Sequence, residues 1–110
     1  MLVVTHQLFL KSQPADVRIE IRLYQPVQFD KNWGCRYEID WPEGSKTTMA
    51  YGLDSLQSLI IALQMIGSEL YTSTYHADGL LRTSDQEAGY GFPVPPNLRD
   101  MLIGVDALSF

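Results

Sequence analysis

The hydrophobic pattern of this chain changes period once, from two to about 3.6, and that change limits the fold more than any other feature. Before Gly52, Val17, Ile19, Ile21 and Leu23 alternate with Arg18, Glu20 and Arg22, and Trp33, Cys35, Tyr37 and Ile39 alternate with Arg36, Glu38 and Asp40. Strict alternation places one set of side chains on a buried sheet face and the other in water. After Gly52 the apolar residues recur at helical spacing. Strands followed by a helix within one short chain predict an α+β fold, with the helix laid across an antiparallel sheet.

Four strands are expected, at residues 3–11, 17–24, 33–40 and 46–51. Residues 12–16, Ser-Gln-Pro-Ala-Asp, have a turn composition, and so does Trp41-Pro42-Glu43-Gly44, where proline presets φ and glycine suits the end. Links this short exclude parallel crossovers, so the simplest topology is an antiparallel meander in the order 1-2-3-4, with residues 25–32 as a loop. Inward strand registers place Val4, His6, Leu8 and Leu10 together.

The helix is expected over residues 54–71. Asp54 is positioned to accept from the first free backbone N–H groups, and Gln57, three residues on, reaches back. At about 100° per residue, Leu53, Leu56, Leu59, Ile60, Leu63, Ile66, Gly67 and Leu70 form the stripe expected to face the sheet. Gly67 would then allow close approach of a bulky strand residue such as Trp33. The opposite side, Ser58, Ile61, Ala62, Met65 and Ser68, lacks the charge of a solvated face and needs a cover, either the C-terminal segment or a second copy of the chain. Residues 72–110 are expected to be mostly irregular and rich in proline. Within them, 80–83 suit a short strand and 97–103 a helical turn, and the apolar content argues for a tail packed onto the body.

With 110 residues, the chain fits one domain. A lone cysteine, Cys35, excludes an internal disulfide and fits a reducing compartment. The start does not resemble a signal peptide and the longest apolar run, residues 59–63, is far short of a membrane span, so the expected location is the cytoplasm. Net charge is −5, and residues 51–110 carry only Arg82 and Arg99 against seven acids. That sign opposes phosphate neutralisation, so neither nucleic acid nor an anionic membrane is an expected partner.

No constellation of residues dictates a reaction. Cys35 lies in the inward register between Trp33 and Tyr37, an apolar setting that raises a thiol pKa instead of activating it. His6 and His76 have no nucleophile motif near them, and His76 with Asp78 supplies two metal ligands where a site needs more. Gly89-Tyr90-Gly91 lacks the context of a phosphate loop. Arg18, Arg22 and Arg36 are interleaved with Glu20, Glu38 and Asp40, which reads as cross-strand ion pairing on a wet face. No residue is assigned a catalytic, cofactor-binding or metal-binding role, and no cofactor is expected. The residues assigned to an interaction surface are Ile61, Met65, Tyr71, Tyr75 and His76, because aromatic and apolar side chains anchor protein contacts.

Trp33, Cys35, Tyr37 and Ile39, then Gly52, Asp54, Ser55, Gln57 and Leu59, then Gly91, Phe92 and Pro93 form a pattern that resembles a family of small uncharacterised bacterial proteins, a domain of unknown function. The resemblance implies a bacterial origin and a strand-to-helix arrangement. It carries no catalytic residue across. The function expected is a small non-enzymatic protein-interaction module that binds protein through exposed aromatic and acidic surface in its C-terminal half, its partner an unknown protein or, if the helix back face is covered that way, a second copy of the chain. The alternative is a small-molecule-binding domain or minor enzyme with a pocket between sheet, helix and tail.

Overall fold

In the computed structural model, which describes residues 1–83 and 89–110, both alternating segments are strands. β1 (Leu2–Leu10), β2 (Val17–Tyr24), β4 (Trp33–Trp41) and β5 (Gly44–Gly52) correspond to the four expected strands, and their neighbours in sequence pair antiparallel. The sheet nevertheless has six strands, not four. β3 (Val27–Gln28) pairs with the start of β4, in the same lane that β2 occupies along the rest of that strand. β6 (Leu81–Arg82) adds to the free edge of β1 opposite Phe9 and Leu10. Two-residue strands carry no alternation, and Pro26 beside β3 reads as a loop signal, so β3 has no sequence signature.

The registers put Leu8, Leu10, Ile19, Ile21, Leu23, Cys35, Tyr37, Ile39 and Ala50 into the core, each with no more than a few per cent of its surface exposed. On the wet face Arg22 makes the expected cross-strand ion pairs, while Arg36 lies over the Tyr24 ring. Arg22 lies opposite Glu38 in the strand register and donates to it at 3.0 Å, while both its terminal nitrogens reach Asp40 at 2.7 Å. That fork holds the Asp40 carboxyl down at about 2.

α1 (Ser55–Tyr71) begins as its cap predicts: Asp54 Oδ1 accepts from Gln57 N at 2.7 Å, and the Gln57 side chain accepts from Leu53 N at 2.6 Å. Its orientation differs from expectation. The buried helix residues are Ser58, Ala62, Ile66, Gly67, Leu70 and Tyr71, while Leu53, Leu56 and Ile60 are 80%, 64% and 44% exposed. The cause is distance. Two residues separate β5 from α1, so the first helical turn is held against the strand, and a Cβ on Gly52 would sit 2.5 Å from Ser58 N. Only small side chains fit such a contact, so Ser58 and Ala62 face the sheet and the leucines rotate outward. Ser58 satisfies its hydroxyl on Ser55 O at 2.9 Å, which removes the penalty for burying it.

Gly67 does allow a close approach, but to the tail and not to Trp33. A Cβ there would lie 1.8 Å from the Pro93 carbonyl oxygen. The tail, expected to be mostly irregular, is irregular only in part. It contains α2 (Thr74–Ala77), β6, a 3-10 helix (Pro96–Met101) near the expected helical turn, and α3 (Gly104–Ser109). No helix among the described residues is long and apolar enough to cross a membrane.

Candidate functional site

Three surfaces or clusters merit comparison, and the first is a polar junction where the tail meets the body. Asp106 of α3 is buried, and its carboxylate accepts from Tyr71 O–H at 2.5 Å, Tyr90 N at 2.8 Å and Gly91 N at 2.9 Å. Two backbone N–H groups and a phenol thus satisfy the acceptors of a carboxylate that has no ion-pair partner among the described residues. His76 Nδ1 and Tyr90 O–H share a hydrogen bond of 2.5 Å, and His6 Nε2 lies 3.0 Å from Tyr90 O. Burial pushes the Tyr90 phenol up to about 12, raises Tyr71 further, and lowers His76. These directions all favour neutral side chains. The junction holds aromatic rings edge to face, with Tyr71 and His76 centroids 5.0 Å apart and His6 and Phe92 5.3 Å apart, and none of its groups is an activated nucleophile. It is chemically suited to fastening the tail. Cys35 is equally inert, since its fully buried Sγ lies 3.2 Å from Tyr24 O and desolvation raises its pKa. Among the described residues, no three His, Cys, Asp or Glu side chains converge at metal distance.

The second is a pair of shallow clefts separated by Glu69. On one side, an open groove of about 360 Å³ runs between the β4–β5 hairpin and the start of α2, walled by Trp41 and Tyr75, whose rings stack at 5.4 Å. On the other, a cleft of about 280 Å³ lies between Tyr37 and Thr48 of the sheet, Met65 of α1 and Pro95 of the tail. Glu69 accepts from Tyr37 O–H and binds Lys46 Nζ at 2.6 Å. Tyr75 O–H donates to Glu43 at 2.5 Å, a bond that raises its pKa. No cleft described here is lined by a histidine.

The third is the outward flank of α1. At 100° per residue, Leu56, Ile60, Leu63 and Gly67 share one stripe. The tail covers it at Gly67 and leaves Leu56 and Ile60 bare.

The expected interaction residues are not gathered into one surface. Ile61 and Met65 are half-buried and packed against the core, Met65 beside Pro95 of the tail. Tyr71 is buried in the junction, His76 is half-buried against it, and Tyr75 is half-exposed on Trp41. Sequence reasoning passed over Leu53, Leu56 and Ile60 because their spacing made them core. It passed over Asp106 because a single acid in a short apolar segment has no pattern. Trp41 was in view only as a turn residue, although the inward register of β4 already reaches it.

Residues 4–94 match the model of a family described as a domain of unknown function, DUF6968. The chain belongs to that family. The match takes in the sheet from Val4 onward and α1, ends at Val94, and leaves α3 with Asp106 beyond it. No curated protein and no solved structure matches the chain.

Proposed function

We propose that this DUF6968 protein is a non-enzymatic protein-interaction module whose partner is a second copy of itself, docked through the bare flank of α1. One observation carries the reading: Leu53, just before α1, and Leu56 and Ile60 on it stand 44% to 80% exposed, although the opposite side of the helix is packed against the sheet. Burying a side chain of this size is worth about 2 kcal/mol, so a contact that covers several of them on both partners gains enough to matter. The flank also suits like meeting like. Between Ser55 and Tyr71 the only charge is Glu69, at the far end from Leu56. Asp54, beside Leu53, caps α1 with its carboxylate, so two copies of the chain meet here with little like-charge repulsion and a basic partner gains little.

Size-exclusion chromatography with light scattering tests this. Wild type is expected to run as a dimer at high concentration, and Leu56→Glu or Ile60→Glu as a folded monomer. A strictly monomeric wild type at millimolar concentration would remove the reading.

A second reading, a small-molecule-binding domain, is favoured by the cleft that Tyr37, Thr48, Met65 and Pro95 enclose between sheet, helix and tail. Fragment screening by NMR distinguishes it, because a genuine pocket shifts Thr48 and Met65 together while the α1 flank stays unmoved.

A further inference from the structure

The groove beside α2 combines features that select one kind of ligand. Its wall is the stacked pair Trp41 and Tyr75, and aromatic faces attract cations. The carboxylates of Glu43 and Glu69 flank that wall. α1 ends at the same place, and its last turn contains no basic residue, so the negative end of the helix dipole lacks the usual cationic complement. Three hydroxyl residues, 72–74, complete the lining.

The chain itself supplies an ammonium stand-in. Among the described residues Lys46 is the only cation in the lining, and its Nζ sits 2.6 Å from Glu69 although its side chain is 59% exposed. An exposed lysine loses rotamer freedom to hold one position, and surface ion pairs return little for that loss. Its placement shows that the groove accepts an ammonium, and an exposed, flexible stem makes it a weak competitor. The space beside it, about 360 Å³, is large enough for an alkyl chain with a second charge.

We propose that this groove binds an organic cation, an alkylammonium or guanidinium group, which lies against Trp41 and Tyr75 and displaces Lys46 from Glu69. The proposal is independent of the α1 flank and stands whether or not the protein dimerises. Such a cation comes either from a free polyamine or from a lysine- or arginine-bearing peptide, and the two sources differ in reach.

Titration of full-length ¹⁵N-labelled protein with butylammonium, spermidine and a trilysine peptide tests this. Saturable shifts are expected at the Trp41 indole and the amides of residues 72–75, weakening with salt as exposed charge contacts do. Glu69→Gln should weaken binding about fivefold, in the range of an ion pair with one partner desolvated. Lys46→Gln, at an exposed side chain that leaves the fold intact, should tighten it about threefold by removing the internal competitor. Saturation at lower concentration by trilysine than by spermidine assigns the cation to a basic peptide, and the reverse assigns it to a free polyamine. Absence of saturable shifts up to about 50 mM in both wild type and Lys46→Gln would overturn the proposal, since even weak specific sites fall below that limit. So would equal shifts with butanol, or tightening absent in Lys46→Gln.

Discussion

The two halves of α1 present the same apolar stripe to different surroundings. In the C-terminal half, Gly67 meets the Pro93 carbonyl and Tyr71 is locked to Asp106, so the stripe is covered by the chain's own tail. In the N-terminal half, Leu56 and Ile60 continue the stripe and remain 64% and 44% exposed. The difference lies in the tail, which meets the helix at Gly67 and at Tyr71, and the helix itself does not change character between the two. A glycine in the stripe and a buried polar fastening mark the covered half, and large exposed aliphatics mark the open one.

That contrast breaks most clearly at its fastening. Asp106→Ala leaves the Tyr71 phenol and the N–H groups of Tyr90 and Gly91 without an acceptor, and unmade buried hydrogen bonds cost about 1–3 kcal/mol each. A loss on the order of 4 kcal/mol in urea denaturation is expected, with amides of residues 89–94 losing hydrogen-exchange protection more than those of the sheet. Gly67→Ala comes next. Its Cβ has no room against Pro93, so overpacking exceeds the gain in helix propensity and a net loss of about 2 kcal/mol is expected. A wild-type-like melting temperature for this variant would mean that the tail does not press on the helix.

A pH profile sharpens the same comparison. Burial lowers the His76 pKa, so the unfolded chain binds a proton more readily than the folded one. Stability should therefore fall as pH drops below about 6.5, the unfolded value for histidine, and His76→Gln should flatten that slope. Asp40 acts lower. Its folded pKa of about 2 is depressed by Arg22, so its contribution is complete above the unfolded value near 4 and is lost as pH falls toward 2. The smallest effect belongs to the open half: Leu56→Ser should change monomer stability by no more than about 0.5 kcal/mol, as for any exposed site. A larger loss would show that the flank is buried in the state being measured.

Much of the frame was legible in the residues. Alternation at 17–24 and 33–40 located β2 and β4 and their buried sides, Pro42 and Gly44 marked the hairpin, and Asp54 with Gln57 located the start of α1. Two things were not legible. Periodicity found the apolar stripe of α1 but assigned it to the sheet, because a count of leucines is blind to the spacing that favoured Ser58 and Ala62. The grouping of Trp41, Glu43, Lys46, Glu69 and Tyr75 around one groove spans elements far apart in sequence. No local pattern records it.

The sequence by itself determined where strands and helix begin, because capping, turn chemistry and side-chain alternation act over a few residues and need no distant partner. Only the tertiary structure decided which side of α1 is inside and which carboxylates share a groove with which aromatic rings. Those outcomes depend on the two-residue link that clamps α1 to β5, the absence of a Cβ where Gly67 meets Pro93, and a tail whose path is held by Asp106. Each is a matter of distance between segments remote in the chain, set by packing and not by composition.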